Sequence, residues 1–134
     1  MNEKAKLLIK PKEINALAIA YLGDAIYEVY IREHVLLMGN YKQNILHRRS
    51  IAYVSAKAQA KIIKAMQSDL TEEEFDIVKK GRNMKSNTSP KNTDIIDYRY
   101  STGFETLIGY LYLQGNISRL EDIIQKAIDF VEET

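Results

Sequence analysis

Asp24 and Glu105 are the residues whose types and surroundings first point to a chemistry. Asp24 stands within Tyr21-Leu22-Gly23-Asp24-Ala25-Ile26, and Glu105 is the only charged residue between positions 100 and 113. A carboxylate among apolar side chains is costly to bury unless a positive or hydrogen-bonding group meets it. Two such acids on two apolar helical stretches share one explanation if the helices pack together and both carboxylates meet at a divalent cation. Oxygen ligands in a chain without cysteine suit Mg²⁺, with Mn²⁺ as a substitute, better than zinc. Glu28 lies one turn beyond Asp24, where it could be a further ligand, a partner behind the ligands or an ion-pair residue. The structural alternative stays open: each acid caps a helix end, or pairs with an arginine such as Arg32 or Arg99. Other chemistries lack their residues. His34 and His47 have no neighbour at ligand or triad spacing, and surface roles fit them better. No serine sits on a nucleophile elbow, and no glycine-rich phosphate loop is present. Gly23 and Gly109 fall inside helical stretches, where a missing side chain marks close helix packing.

The elements that must position these acids are helices. Glycine and proline are few (six and two), and alternating strand patterns are nearly absent, so the fold class is all-α. A long helix is expected over about residues 14–38, with Leu17, Tyr21, Ala25 and Val29 near one stripe and Gly39 as its stop. A second helical stretch covers about residues 44–66, with a break near 49–53. Thr71 with Glu74 forms a capping box for a short helix that Gly81 ends. Residues 82–92 (RNMKSNTSPKN) read as loop, and Thr93 or Asn92 caps the next helix, which runs through Glu105 to about Leu113. Gly115 stops that helix, and Ser118 with Glu121 is a second capping box for the last. Five or six helices with short connections fit a compact bundle.

At 134 residues the chain is expected to be one domain, with its core over about residues 14–133. No stretch reaches the roughly 18 apolar residues of a membrane span. The apolar run near the start, Leu7 to Ile9, is too short for a signal peptide. The expected setting is the cytoplasm, away from membranes. The net charge of +1 hides a segregation. Between positions 34 and 68 there is no acid, against Lys42, Arg48, Arg49, Lys57, Lys61 and Lys64. Between 77 and 93 there is again none, against Lys79, Lys80, Arg82, Lys85 and Lys91. Each cluster alone reads as a solvated helix face, whereas two long acid-free stretches point to a polyanion such as a nucleic acid.

Leu22-Gly23-Asp24-Ala25, followed by Glu28, resembles the signature helix of the ribonuclease III endonuclease domain. Phe104-Glu105-Thr106-Leu107-Ile108-Gly109 resembles that family's second signature. The segments Gly81-Arg82-Asn83-Met84-Lys85, Pro90-Lys91-Asn92-Thr93-Asp94 and Tyr98-Arg99-Tyr100-Ser101-Thr102 are similar to the family's short bacterial branch, which carries no separate double-stranded RNA-binding domain. The resemblance spans about residues 14–113, and the order and spacing of its fragments make it specific.

This resemblance implies an all-α ribonuclease III endonuclease-domain bundle that forms a symmetric homodimer with a double-stranded RNA groove across both subunits. It implies Mg²⁺-dependent phosphodiester hydrolysis leaving 5′-phosphate and 3′-hydroxyl ends, with Asp24 and Glu105 as catalytic metal ligands. In the short branch the substrate is precursor large-subunit (23S) ribosomal RNA, and a ribosomal protein is a candidate partner. Grip on RNA would come from Lys79, Lys80, Arg82, Asn83, Lys85, Lys91 and Asn92, and from Lys57, Lys61 and Lys64 on one helix face. Tyr27, Tyr30, Tyr98, Tyr110 or Tyr112 could furnish a dimer interface, although core packing accounts for most of them. The pattern departs from longer relatives: Leu17, Ala20 and Thr102 stand where those carry acids. Two alternatives remain: an inactive RNA-binding or ribosome-assembly protein of the same fold, and a helical protein–protein adaptor without affinity for RNA.

Overall fold

The computed structural model describes residues 10–39, 41–84 and 94–134, and among these all regular structure is helical. Six α-helices follow one another: α1 (Ala16–Leu36), α2 (Gln43–Val54), α3 (Ala56–Met66), α4 (Glu72–Asn83), α5 (Ile95–Gln114) and α6 (Ile117–Glu133). Single 3₁₀ turns precede α1 (Pro11–Glu13) and follow α3 (Gln67–Asp69). None of these helices is long and apolar enough to cross a membrane.

The sequence of α5 is apolar all round, and a helix of that kind must be enclosed by others. It is the central element, with Phe104, Leu107, Ile108 and Leu111 inside the core and α1, α3 and α4 packed against it. The approach of α1 is unusually close because glycines meet there. A Cβ on Gly23 would stand 2.9 Å from the Gly109 amide nitrogen and would collide with the Glu105 carbonyl oxygen. One turn further on, Tyr27 packs edge-on to Phe104 (centroids 4.9 Å apart) and donates a hydrogen bond to the Tyr53 carbonyl (3.0 Å). These contacts lock α1, α2 and α5 into one block beside Asp24 and Glu105.

Some of the expected caps and stops occur, and the exceptions have identifiable causes. Thr71 and Glu74 form the reciprocal capping box, at 3.1 and 2.9 Å. The buried Glu74 also takes a two-pronged contact from Arg119 (2.8 and 2.9 Å), which holds its carboxyl below the usual range and ties α4 to α6. Gly115 ends α5 in the left-handed region (φ 80°), as a residue without Cβ can. Gly81 does not end α4, which continues to Asn83. It is instead a contact glycine, where a Cβ would lie 3.0 Å from the Gly103 Cα and overlap Thr106. The cap of α5 is Asp94, whose carboxylate accepts from the Ile96 and Asp97 amides (2.8 and 3.1 Å); Asn92 and Thr93 lie outside the described residues. Asn116 rather than Ser118 caps α6, its side chain accepting from the Arg119 amide at 3.3 Å. The break in the second helical stretch falls at Ser55, which ends α2 in extended geometry and caps α3.

The stripe Leu17, Tyr21, Ala25 and Val29 faces outward: Tyr21 is 84% and Val29 65% exposed. The buried side of α1 is Ile19, Gly23, Tyr27, Ile31 and Val35, two residues on and so on the opposite face of the helix. Both stripes are apolar, so periodicity alone identified the wrong one as structurally informative.

Candidate active site

Gly23 and Gly109 let α1 and α5 approach until Asp24 and Glu105 meet across the contact. Both acids sit in mid-helix, so neither caps an end, and Arg32 is engaged by Glu28 (2.9 Å) rather than by Asp24. Asp24 is exposed and Glu105 half-buried. Burial first, then the Asp24 charge and a hydrogen bond between the two carboxyl groups, push the Glu105 carboxyl up to about 8. A hydrogen bond from the Gln59 amide opposes that rise, and the charge of Glu28 adds to it slightly. A carboxyl pair in this state is a site that attracts positive charge: a cation would relieve both the repulsion and the desolvation.

Gln59 is the residue that the sequence reading missed. It is 2% exposed on α3, and its Nε2 donates to the Val54 carbonyl (3.0 Å) and to Glu105 Oε2 (3.3 Å). Its Oε1 is buried without a partner. The signal was present. In AKAQAKIIKAM, Gln59 shares a face with Ile62, Ile63 and Met66, so it is a polar residue at a core position, as Glu105 is.

Two carboxylates form an all-oxygen donor pair, which fits a hard divalent cation. Among the described residues no three His, Asp or Glu side chains stand close enough to hold a metal unaided. Mg²⁺ commonly keeps several waters and binds through one or two carboxylates plus substrate phosphates, so the sparse set is compatible with it. The positions where longer relatives carry acids bring none here. Ala20 is buried, and the Thr102 hydroxyl donates to the Tyr98 carbonyl at 3.0 Å.

The basic residues divide. Lys57, Lys61 and Lys64 are exposed on the outer side of α3. The Lys64 ammonium lies 4.5 Å from the centre of the Tyr100 ring, and the Arg82 guanidinium 5.5 Å from the same ring. Tyr100 thereby joins the α3 cluster to the end of α4, where Asn83 is exposed and its side chain accepts from Arg82 Nε at 3.2 Å. Lys79 is drawn aside by Asp76 (3.3 Å) and the Phe75 ring. Lys80 lies by Pro11 and Ile14, away from that group. Lys85, Lys91 and Asn92 lie outside the described residues. His34 is held by Glu132 (2.6 Å) and stacks edge-on with Tyr53, which gives it a structural place between α1, α2 and α6.

A family model for the ribonuclease III domain matches residues 17–116, the stretch that contains both acids and the helices that carry them. The chain belongs to the ribonuclease III family, in its Mini-ribonuclease III branch. It is 52% identical to the Mini-ribonuclease 3 of Enterococcus faecalis over 125 residues, covering 92% of this chain and 95% of that one. The Mini-ribonuclease 3 of a Thermoanaerobacter strain is 46% identical over 133 residues, covering 98% and 94%. A crystal structure of a Fusobacterium nucleatum protein has the same fold, with a TM-score of 0.79 and 35% identity over 87% of this chain and 93% of that one. This Mini-ribonuclease III is therefore an endoribonuclease acting on double-stranded RNA, and its family uses a divalent metal.

Proposed function

We propose that this ribonuclease matures the ends of precursor 23S ribosomal RNA in the cytoplasm, as one catalytic domain that binds its duplex unaided. Asp24 and Glu105 hold a Mg²⁺ ion, for which Mn²⁺ can substitute. The single observation behind this reading is the meeting of the two carboxylates, with Glu105 pushed up to about 8 in the absence of a cation. Asp24 and Glu105 would hold the divalent ion, which when bound would supply an activated water and charge stabilisation at the attacked phosphodiester, with 5′-phosphate and 3′-hydroxyl ends as products. The protein's part is to fix the ligands. Gly23 and Gly109 set the distance between the helices, and Glu28, paired with Arg32, adds negative charge behind the ligands. Lys57, Lys61, Lys64 and Arg82, with Asn83 and the basic segment that follows, grip the phosphates of an A-form duplex. Purified protein incubated with a synthetic RNA duplex should cleave it with Mg²⁺ and stop on addition of EDTA. On a precursor 23S transcript the cuts should fall at the mature ends, and cuts scattered along duplex segments would refute the maturation role.

The working unit is a homodimer. Support comes from the outward stripe of α1, where the apolar Tyr21 and Val29 are 84% and 65% exposed. Beside the same helix is a hollow of about 380 Å³ between α1 and α2, lined by Val35, Leu36, Leu46, Ile51 and Val54 among others. Of the tyrosines named from sequence, Tyr27 and Tyr110 are buried in the core, whereas Tyr30, Tyr98 and Tyr112 are half-buried. Sedimentation equilibrium should give twice the 15.4 kDa of one chain, and a monomer at micromolar concentration would overturn the dimer. A ribosomal protein is a further candidate partner.

A further inference from the structure

Gln59 occupies a core position at a cost that an apolar residue would avoid. Leu or Met would fill the volume without burying an amide, and a buried polar atom left unpaired costs free energy. The orientation of the amide is fixed, because the Val54 carbonyl and the Glu105 carboxylate both accept, so the face towards them must be the donor Nε2. Oε1 is therefore turned away from both and finds no donor in the protein. A tie between the α2–α3 corner and the core would need only the bond to Val54. It does not explain the bond to Glu105.

We infer that Gln59 is a positioning residue of the metal site: Nε2 holds the Glu105 carboxylate in its ligating orientation. The inference rests on Asp24 and Glu105 being the cation's ligands. Side chains that orient ligands from behind commonly change metal affinity by about 10–100-fold when removed. Gln59 would act on the ion through Glu105, and on the RNA not at all.

The test is Mn²⁺ binding to the full chain, followed by electron paramagnetic resonance of the free ion, for the wild type, Gln59→Met and Asp24→Asn. Gln59→Met should retain the helical circular dichroism, weaken Mn²⁺ binding by about tenfold or more, and lower kcat on a duplex with KM unchanged. Unchanged Mn²⁺ affinity in a folded Gln59→Met variant overturns the inference, whatever happens to its melting temperature. If Gln59→Met does not fold, the wild type decides. Its Gln59 side-chain amide resonances should shift on Mg²⁺ titration and saturate with the site, and fixed resonances overturn the inference. A wild type whose Mn²⁺ binding is insensitive to Asp24→Asn overturns the ligand reading itself, a failure distinct from an effect absent only in Gln59→Met.

Discussion

Asp24→Asn is expected to reduce cleavage of duplex RNA by on the order of 1000-fold, a loss of about 4 kcal/mol of transition-state stabilisation. The substitution keeps the shape of the side chain and removes its charge. Asp24 is exposed and in mid-helix, so folding should be untouched. Duplex binding should also persist, because the basic residues of α3 and the end of α4 lie on other elements. Binding by the inactive variant should weaken steeply between low and moderate salt, as phosphate contacts release counterions. Glu105→Gln should cost a similar factor, and the double variant little more than either single one, since two ligands of one ion act as a unit. Cleavage by Asp24→Asn at the normal rate would remove this pair from the mechanism. Additive losses in the double variant would mean that the two acids serve separate steps.

Glu105→Gln should at the same time stabilise the metal-free protein, and the gain should grow with pH. The folded-state value of Glu105 is raised from an ordinary 4.5 to about 8, chiefly by burial and then by Asp24. Below pH 4.5 the group is protonated in both folded and unfolded chains and contributes no difference. Between 4.5 and 8 the unfolded chain has lost the proton while the folded chain keeps it, so folding stability falls as pH rises. Above 8 the full penalty is present. With water reaching this half-buried group, the penalty is on the order of 2 kcal/mol, or several degrees in melting temperature. Thermal unfolding in EDTA should therefore show Glu105→Gln melting above the wild type at pH 8 and near it at pH 5. Added Mg²⁺ should narrow the gap at pH 8 by stabilising the wild type alone. A gap of the same size at both pH values would show that the effect is packing and not the proton. The two predictions together describe a site whose activity is held against local stability.

Much of this was legible in the order of residues. Local patterns carry local information: Thr71 and Glu74 cap α4 as their spacing requires, and Gly115 stops α5 because its left-handed φ needs no Cβ. Asp24 and Glu105 announced themselves as charges on apolar helices, and Gly23 and Gly109 as contact points beside them. Gln59 could have been found by the same reasoning, but a neutral amide among lysines on a helix is a weaker contrast than a carboxylate among tyrosines.

The sequence by itself determined that the chain is helical, where most helices begin and end, and that two acids sit where burial would be costly. The tertiary structure alone decided that the acids meet, that Gln59 reaches one of them from α3, and that Tyr100 gathers Lys64 and Arg82 into one basic face. It also decided that Tyr21 and Val29 look outward while Tyr27 and Ile31 look in. The reason is physical. Periodicity relates residues three or four apart on one helix, whereas the inward side of α1 is chosen by where α5 can come closest. That choice depends on Gly23 fitting against Gly109, a contact between distant parts of the chain that no local pattern records.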